Sequence, residues 1–302
     1  MNMTDTRISL PRGYKLLLDN YTYTICDVVG RGGSCIAYNA TAERSNGMPQ
    51  TPVIIKEFYP LELVSPIARG ESNALTVHET YSDEFEHLKT RFIGGAYSQV
   101  AFTLDDSNHS LPLPTLYFAN GTAYTVVVLT NGQTLDKCGA DMSPYEKSCV
   151  FTSLCNAIKG LHNKSKLYLD LKPANIFVFD ADDNETRRIA LFDFDTAIDI
   201  ANITNTLISY SDDWSPYEQS SAQNSEISYA ADIYSLGAVF YWLHTGDKVS
   251  NVVLDNIARG RFNFLSNTNT SRSGRTTIEG ILSATLKRVP SQRVQSIEGI
   301  PL

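Results

Sequence analysis

The chain has no paired cysteines. Its five, Cys26, Cys35, Cys138, Cys149 and Cys155, form an odd set with no Cys-x-x-Cys spacing and no histidine nearby at zinc-ligand spacing. That argues against a disulfide framework or a structural zinc site and for reduced thiols. Positive charge is also scarce: 25 Lys and Arg stand against 33 Asp and Glu, a net charge of -8. A general nucleic-acid or anionic-membrane binder is excluded on that ground, because a polyanion would be repelled rather than steered in. Long hydrophobic runs are absent as well. The most apolar stretch, 233–243, lies between Asp232 and His244 and is too short to span a bilayer, so it is read as a buried core helix. The first residues, MNMTDTRISL, lack the basic and then apolar run of a signal peptide. No internal repeat or low-complexity segment occurs. The expectation is a cytoplasmic chain without a membrane segment and without nucleic-acid partners, with delivery as a secreted effector as the alternative.

What is present suffices for a sizeable core: 302 residues, 42% of them hydrophobic, allow one domain of two lobes or two small domains. Residues 21–58 read as strand, glycine cluster, strand, strand: YTYTICDVV, then Gly30-Arg31-Gly32-Gly33, then CIAYNA and VIIKEFY. Residues 59–80, with two prolines and a glycine, read as a long irregular insertion, and 83–100 as a helix. Asn120-Gly121 between two apolar runs predicts a hairpin. Past residue 129 the pattern turns helical. Ser143 and Glu146 stand at capping-box spacing, ahead of Val150, Leu154, Ile158 and Leu161 at helical spacing. A β-rich front half and a helical back half predict an α+β architecture with a cleft at the junction.

Chemistry-bearing residues recur in a set order. Gly30, Gly32 and Gly33 sit between strands, where a backbone free of side chains can approach an anion, although a tight hairpin turn would use them equally well. Lys56 ends an apolar strand, where a lysine is commonly an edge residue reaching for water. Asp170, Lys172 and Asn175 crowd one short loop. Asp193 emerges from the apolar run IALFDFD, where a carboxylate is costly without a cation.

Together these residues resemble the signature set of protein kinases, over residues 10–293. LPRGYKLLLDNYTYTICDVVGRGGSCIAY followed by VIIKEFYP is similar to the eukaryotic-like Ser/Thr kinases of bacteria. The resemblance implies a bilobal kinase domain over 10–298. Its N-lobe would be 10–129 with an insertion at 58–80, its C-lobe 130–298, and ATP would bind between them. It also implies an enzyme that moves the γ-phosphate of ATP to protein hydroxyls, with Mg²⁺ as cofactor and Mn²⁺ as the alternative ion. Gly30, Gly32 and Gly33 would cover the phosphates and Lys56 would hold the α and β groups. Ala37 would lie over adenine, Val127 would be the gatekeeper, and Val128, Leu129 and Thr130 the hinge. Asp170 of Tyr168-Leu169-Asp170 would be the catalytic base, Lys172 would neutralise the γ-phosphate, and Asn175 and Asp193 would bind the metal. Ser215-Pro216-Tyr217-Glu218-Gln219, the helix opening Asp232-Ile233-Tyr234, and Arg293 as the partner of Glu218 favour a protein kinase over a small-molecule phosphotransferase.

The sequence also departs from the family pattern. Cys35 replaces the third glycine of the loop, Ala37 a valine, and Asp195 the glycine after Asp-Phe. The glutamate that pairs with the strand lysine falls at Gly95 in one alignment and at Glu84 or Glu86 in another, with Gln99 a turn later as a substitute. A nucleotide-binding pseudokinase is therefore the alternative function. Leu169 replaces an arginine that binds an activation-loop phosphate, so activity is expected not to depend on that phosphate. Thr204, Thr206 and Ser209 are the expected autophosphorylation sites, and Ser211 the hydroxyl expected to contact Asp170.

Overall fold

The computed structural model describes residues 5–44, 50–105, 113–129, 131–180, 188–205, 208, 210–220, 226–265 and 272–302. The chain divides into two compact units, 1–130 and 131–302.

The first unit is built on an antiparallel six-stranded sheet in the order β1-β2-β3-β4-β8-β7. Its strands are β1 (Lys15–Leu18), β2 (Tyr21–Arg31), β3 (Cys35–Arg44), β4 (Thr51–Phe58), β7 (Thr115–Ala119) and β8 (Thr122–Val128). Alternation along β4 sorts its side chains: Val53, Ile55 and Glu57 are buried on one face, while Ile54 and Lys56 are half-buried on the other. The predicted hairpin closes at Asn120 and Gly121, both with positive φ (51° and 71°), as the tight two-residue turn requires. A Cβ on Gly121 would stand 2.2 Å from the carbonyl oxygen of Leu75, so only glycine fits there.

The stretch read as an irregular insertion is a small hairpin, β5 (Ile67–Arg69) with β6 (Leu75–Val77), flanked by single 3-10 turns. Its strands are three residues long, below the length at which period-two alternation becomes visible. Leu75 N–H donates to Asn120 O at 2.8 Å and seats the hairpin on the β7–β8 turn. The predicted helix is α1 (Ser82–Asp105), and its Phe85 and Phe92 pack on Phe58.

The second unit opens with β9 (Gly132–Thr134), α2 (Leu135–Cys138) and α3 (Pro144–Asn163). The Ser143 and Glu146 box caps α3 reciprocally, and its buried stripe includes Val150, Leu154, Ile158 and Leu161. Then come β10 (Lys166–Leu167), β11 (Ile176–Phe179), β12 (Ile189–Leu191), β13 (Ile198–Asp199), α4 (Tyr217–Ser220), α5 (Tyr229–Thr245), α6 (Asn251–Ala258) and α7 (Arg272–Thr285). Strands β9, β11 and β12 form one small sheet, and β10 pairs with β13. Helix α5 contains the predicted core helix. It is buried along most of its length and packs on both α3 and α7. Ser228 caps its start, and left-handed Gly246 ends it.

Candidate active site

In the first unit the glycine turn joins β2 to β3. None of Gly30, Gly32 and Gly33 has a positive φ, and an added Cβ would meet nothing nearer than 3.9 Å. Turn geometry therefore does not demand glycine at these positions. What the glycines leave is open space over the backbone, which a side chain would occupy and a phosphate could use. The sheet register sets Ala37 opposite Gly30 and next to Lys56, with Val127 beside Ile54. Ala37, Lys56 and Val127 thus share one face of the sheet.

Helix α1 packs on that face through Phe58. Its inward positions include Phe92, Gly95, Ala96 and Gln99, whereas Glu84 and Glu86 are exposed and Glu86 pairs with Lys89. The packed face thus carries a glycine and an amide, while both alternative carboxylates point to solvent. The insertion's glutamates, Glu62, Glu71 and Glu79, are exposed too. What the insertion does supply is a cation: Arg69 pairs with buried Glu57 at 2.6 Å. Sequence reasoning passed over this pair, although a glutamate in phase with Val53 and Ile55 signals a buried charge in need of a partner. At the expected hinge, Leu129 N–H donates to Pro52 O at 3.0 Å, so that donor is engaged within the unit. Val128 is exposed, and Thr130 lies outside the described residues.

In the second unit the loop after β10 gathers Asp170, Lys172 and Asn175. Lys172 Nζ donates to both carboxylate oxygens of Asp170 at 3.0 and 2.8 Å. Asn175 Nδ2 donates to Asp170 O at 2.9 Å and to its Oδ2 at 2.8 Å. Ser211 Oγ donates to Asp170 Oδ1 at 2.6 Å, so the expected hydroxyl contact is present. Lys172 also reaches Ser211 Oγ at 3.3 Å. Asp170 and Asn175 are both buried. With its NH₂ committed to Asp170, the Asn175 amide has its oxygen turned the other way, a hard ligand of the kind Mg²⁺ prefers.

The loop is fixed from behind. Asp232, fully buried at the start of α5, accepts the N–H groups of Tyr168 and Leu169 at 3.0 and 2.8 Å and contacts His162 Nε2 at 2.9 Å. Gln219 Nε2 donates to Leu169 O at 2.9 Å. Tyr168 donates its hydroxyl to Phe192 O and meets the ring of Phe194 edge-on. Burial, and then the carboxylates of Asp170, Asp193, Asp232 and Asp195, push that hydroxyl well above the usual tyrosine range, so it stays a neutral donor. Phe192 N–H donates to Asn175 O at 3.2 Å, which joins the strand leading to Asp193 to the loop that carries Asp170. Leu169 and Asp193 both have left-handed backbones, φ 64° and 67°, unusual for residues other than glycine. Non-glycine residues held in such conformations cluster at functional sites.

Glu218 and Arg293 form a buried ion pair. The side chains of Thr204, Thr206 and Ser209, the three expected phosphosites, lie outside the described residues.

The protein kinase domain family model matches residues 115–299, more than half of the chain. The chain belongs to the protein kinase family. It is similar to the probable serine/threonine-protein kinase zyg-1 of Caenorhabditis briggsae, with 31% identity over 188 residues, 58% of this chain and 26% of that one. It is also similar to the serine/threonine-protein kinase PknB of Mycobacterium leprae, with 26% identity over 142 residues, 45% of this chain and 20% of that one. Matches to the first curated relatives span 12% to 26% of their length. Among solved structures, the apo form of PpkA-294 aligns over 97% of this chain and 98% of its own, with TM-score 0.66 and 24% identity. That likeness gives the fold: a β-rich first unit and a helical second unit of the protein kinase type. Among the described residues no helix is long and apolar enough to cross a membrane, and no cluster of three or more His, Cys, Asp or Glu is set to hold a metal.

Proposed function

We propose that this chain is an ATP-dependent Ser/Thr protein kinase. The observation that carries the reading is Asp170, a buried carboxylate receiving donors from Lys172, Asn175 and Ser211 on a loop locked by Asp232. In that role Asp170 accepts the proton of a substrate hydroxyl, and Lys172 balances charge on the transferring phosphoryl group. Asn175 Oδ1 and the Asp193 carboxylate would hold Mg²⁺, which supplies neutralisation of the phosphate oxygens. Gly30, Gly32, Gly33 and Lys56 would take the nucleotide phosphates, Ala37 and Val127 the adenine, with Val128, Leu129 and Thr130 at its edge. Chemistry of this kind is positioning and charge balance, for which these groups suffice. Protein hydroxyls are the substrates, the chain's own Thr204, Thr206 and Ser209 included, and the cytoplasm is the setting in which reduced thiols and a net charge of -8 fit.

The second reading, a nucleotide-binding pseudokinase, is favoured by one observation: the packed face of α1 carries Gly95 and Gln99 where a lysine-pairing carboxylate is expected.

The deciding experiment is Mg²⁺-dependent transfer of labelled phosphate from ATP to the chain itself and to a generic basic protein. Wild type transfers, and Asp170→Ala and Lys56→Ala abolish transfer at matched concentration. Binding of ATP without transfer by wild type would instead establish the pseudokinase.

A further inference from the structure

The segment ahead of β1 is bound to the glycine turn. Arg7, whose side chain is wholly buried, donates through Nη2 to Gly32 O at 2.7 Å and through Nη1 to Tyr59 O and, at 3.5 Å, to Cys35 O. The other carbonyls of the turn are taken as well. Leu61 N–H donates to Gly33 O at 2.7 Å, Tyr59 N–H to Ser34 O at 3.0 Å, and Gly32 N–H to Cys35 O at 3.0 Å. The C=O and N–H of a planar trans peptide point in opposite directions. Drawing the Gly32 carbonyl toward Arg7 and the Gly33 carbonyl toward Leu61 therefore fixes the planes of both peptides, and with them the direction in which their N–H edges face. Backbone N–H groups of a turn, once so fixed, are the kind of donor that binds an anion.

Arg7 is itself held in place. Asp5 accepts from its Nε at 3.0 Å and its Nη2 at 2.7 Å, and Arg31 Nη1 donates to the Arg7 carbonyl at 3.0 Å. Arg7 hydrogen bonds and charge bring the Asp5 carboxyl down to about 2, so the brace is ionised throughout the neutral range. A planar guanidinium can serve a carboxylate and separate carbonyls at once, whereas an ammonium cannot keep that fixed fork.

We infer that Arg7 is a positioning residue for the nucleotide, setting the glycine turn from behind in the conformation that receives phosphates. This rests on the kinase reading. It makes residues 5–7, which precede Leu10-Pro11-Arg12-Gly13, a working part of the nucleotide site rather than a leader to it.

The test compares binding of Mg·ATP and of adenosine, which has no phosphates, to the full chain as wild type, Arg7→Gln, Arg7→Lys and Asp5→Asn, with a thermal melt of each. In Arg7→Gln, ATP binds about tenfold more weakly, equivalent to about 1.4 kcal/mol, while adenosine is retained. In turnover the loss falls on KM for ATP with kcat largely kept, and Arg7→Lys is intermediate. If Arg7→Gln does not fold, Arg7→Lys and Asp5→Asn must show the same loss confined to ATP. Equal weakening of ATP and adenosine, or ATP binding unchanged in every variant, overturns the inference while leaving the kinase reading intact. Wild type that binds neither ligand overturns both.

Discussion

Arg69 grips Glu57 with two nitrogens, at 3.1 and 2.6 Å, and both side chains are all but removed from solvent. The carboxylate also accepts the hydroxyls of Tyr38 and Tyr124, at 2.8 and 2.9 Å. Arg69 in turn donates to Asn73 O and Ile8 O, both at 2.7 Å. One buried network thus ties the inserted hairpin, the sheet and the segment ahead of β1 together. Arg69→Met would leave Glu57 buried without its cation and should cost about 3–5 kcal/mol of stability. Glu57→Gln with Arg69→Met should recover part of that loss, because no charge is then stranded. Denaturant unfolding of the two single variants and the double variant measures both effects.

Ser211 bonds the carboxylate of Asp170 and is also reached by Lys172. Ser211→Ala removes one hydrogen bond to an ionised group, about 1.5–3 kcal/mol, and should lower kcat roughly tenfold to a hundredfold with KM for ATP little changed. Steady-state kinetics at varied ATP separates this from a nucleotide-binding defect, which would move KM instead.

Arg293 ties α4 to α5 and to the turn after α7. It pairs with Glu218 and donates to the carbonyls of Ala230, Lys287 and Arg288 at 2.9, 2.8 and 3.1 Å. Arg293→Met strands a buried Glu218, and a loss of about 3–5 kcal/mol is expected. Arg293→Lys keeps the charge but not the fork and should fall between. Thermal unfolding beside the transfer assay tells a stability defect from a catalytic one: Asp170→Asn, which keeps a hydrogen-bonding group of the same size, should abolish transfer with a smaller change in the melt than Arg293→Met.

The sequence carried most of the second unit because its signals are local. The Ser143 and Glu146 box, the stripe from Val150 to Leu161 and the apolar run of α5 each lie within a few turns of chain, and the structure has all three. The order Asp170, Lys172, Asn175 was equally readable, since those residues meet within one loop. What stayed hidden depends on distant pairing. The strands of the inserted hairpin are too short to show alternation, and Arg7 gives no sign in sequence that it reaches Gly32 O and Tyr59 O. Glu57 was passed over although its phase with Val53 and Ile55 puts a charge on the core face, and nothing nearby in sequence names Arg69 as its partner.

Burial, aided by the nearby ammonium of Lys147, lowers the imidazole of His244 to about 4 from 6.5. The unfolded chain therefore binds the extra proton between these values. Stability rises with pH through that window and is lost as pH falls from about 6.5 to about 4. The unfolding free energy should drop on acidification with a slope of at most about 1.4 kcal/mol per pH unit from this group. His244→Phe should flatten it. Denaturant curves at several pH values check the slope.

Leu169 is buried with Leu167, Ile203, Ile227 and Ala231, and Ile208 packs against the same cluster. Where the family resemblance expects an arginine, the leucine joins Ile200, Ile203 and Ile208 in a contact that excludes water. Added salt has little to screen in such a contact. Temperature is the variable such a fastening obeys: apolar contact weakens on cooling, so the segment that carries these isoleucines should work loose in the cold, where a charge-held one would stay.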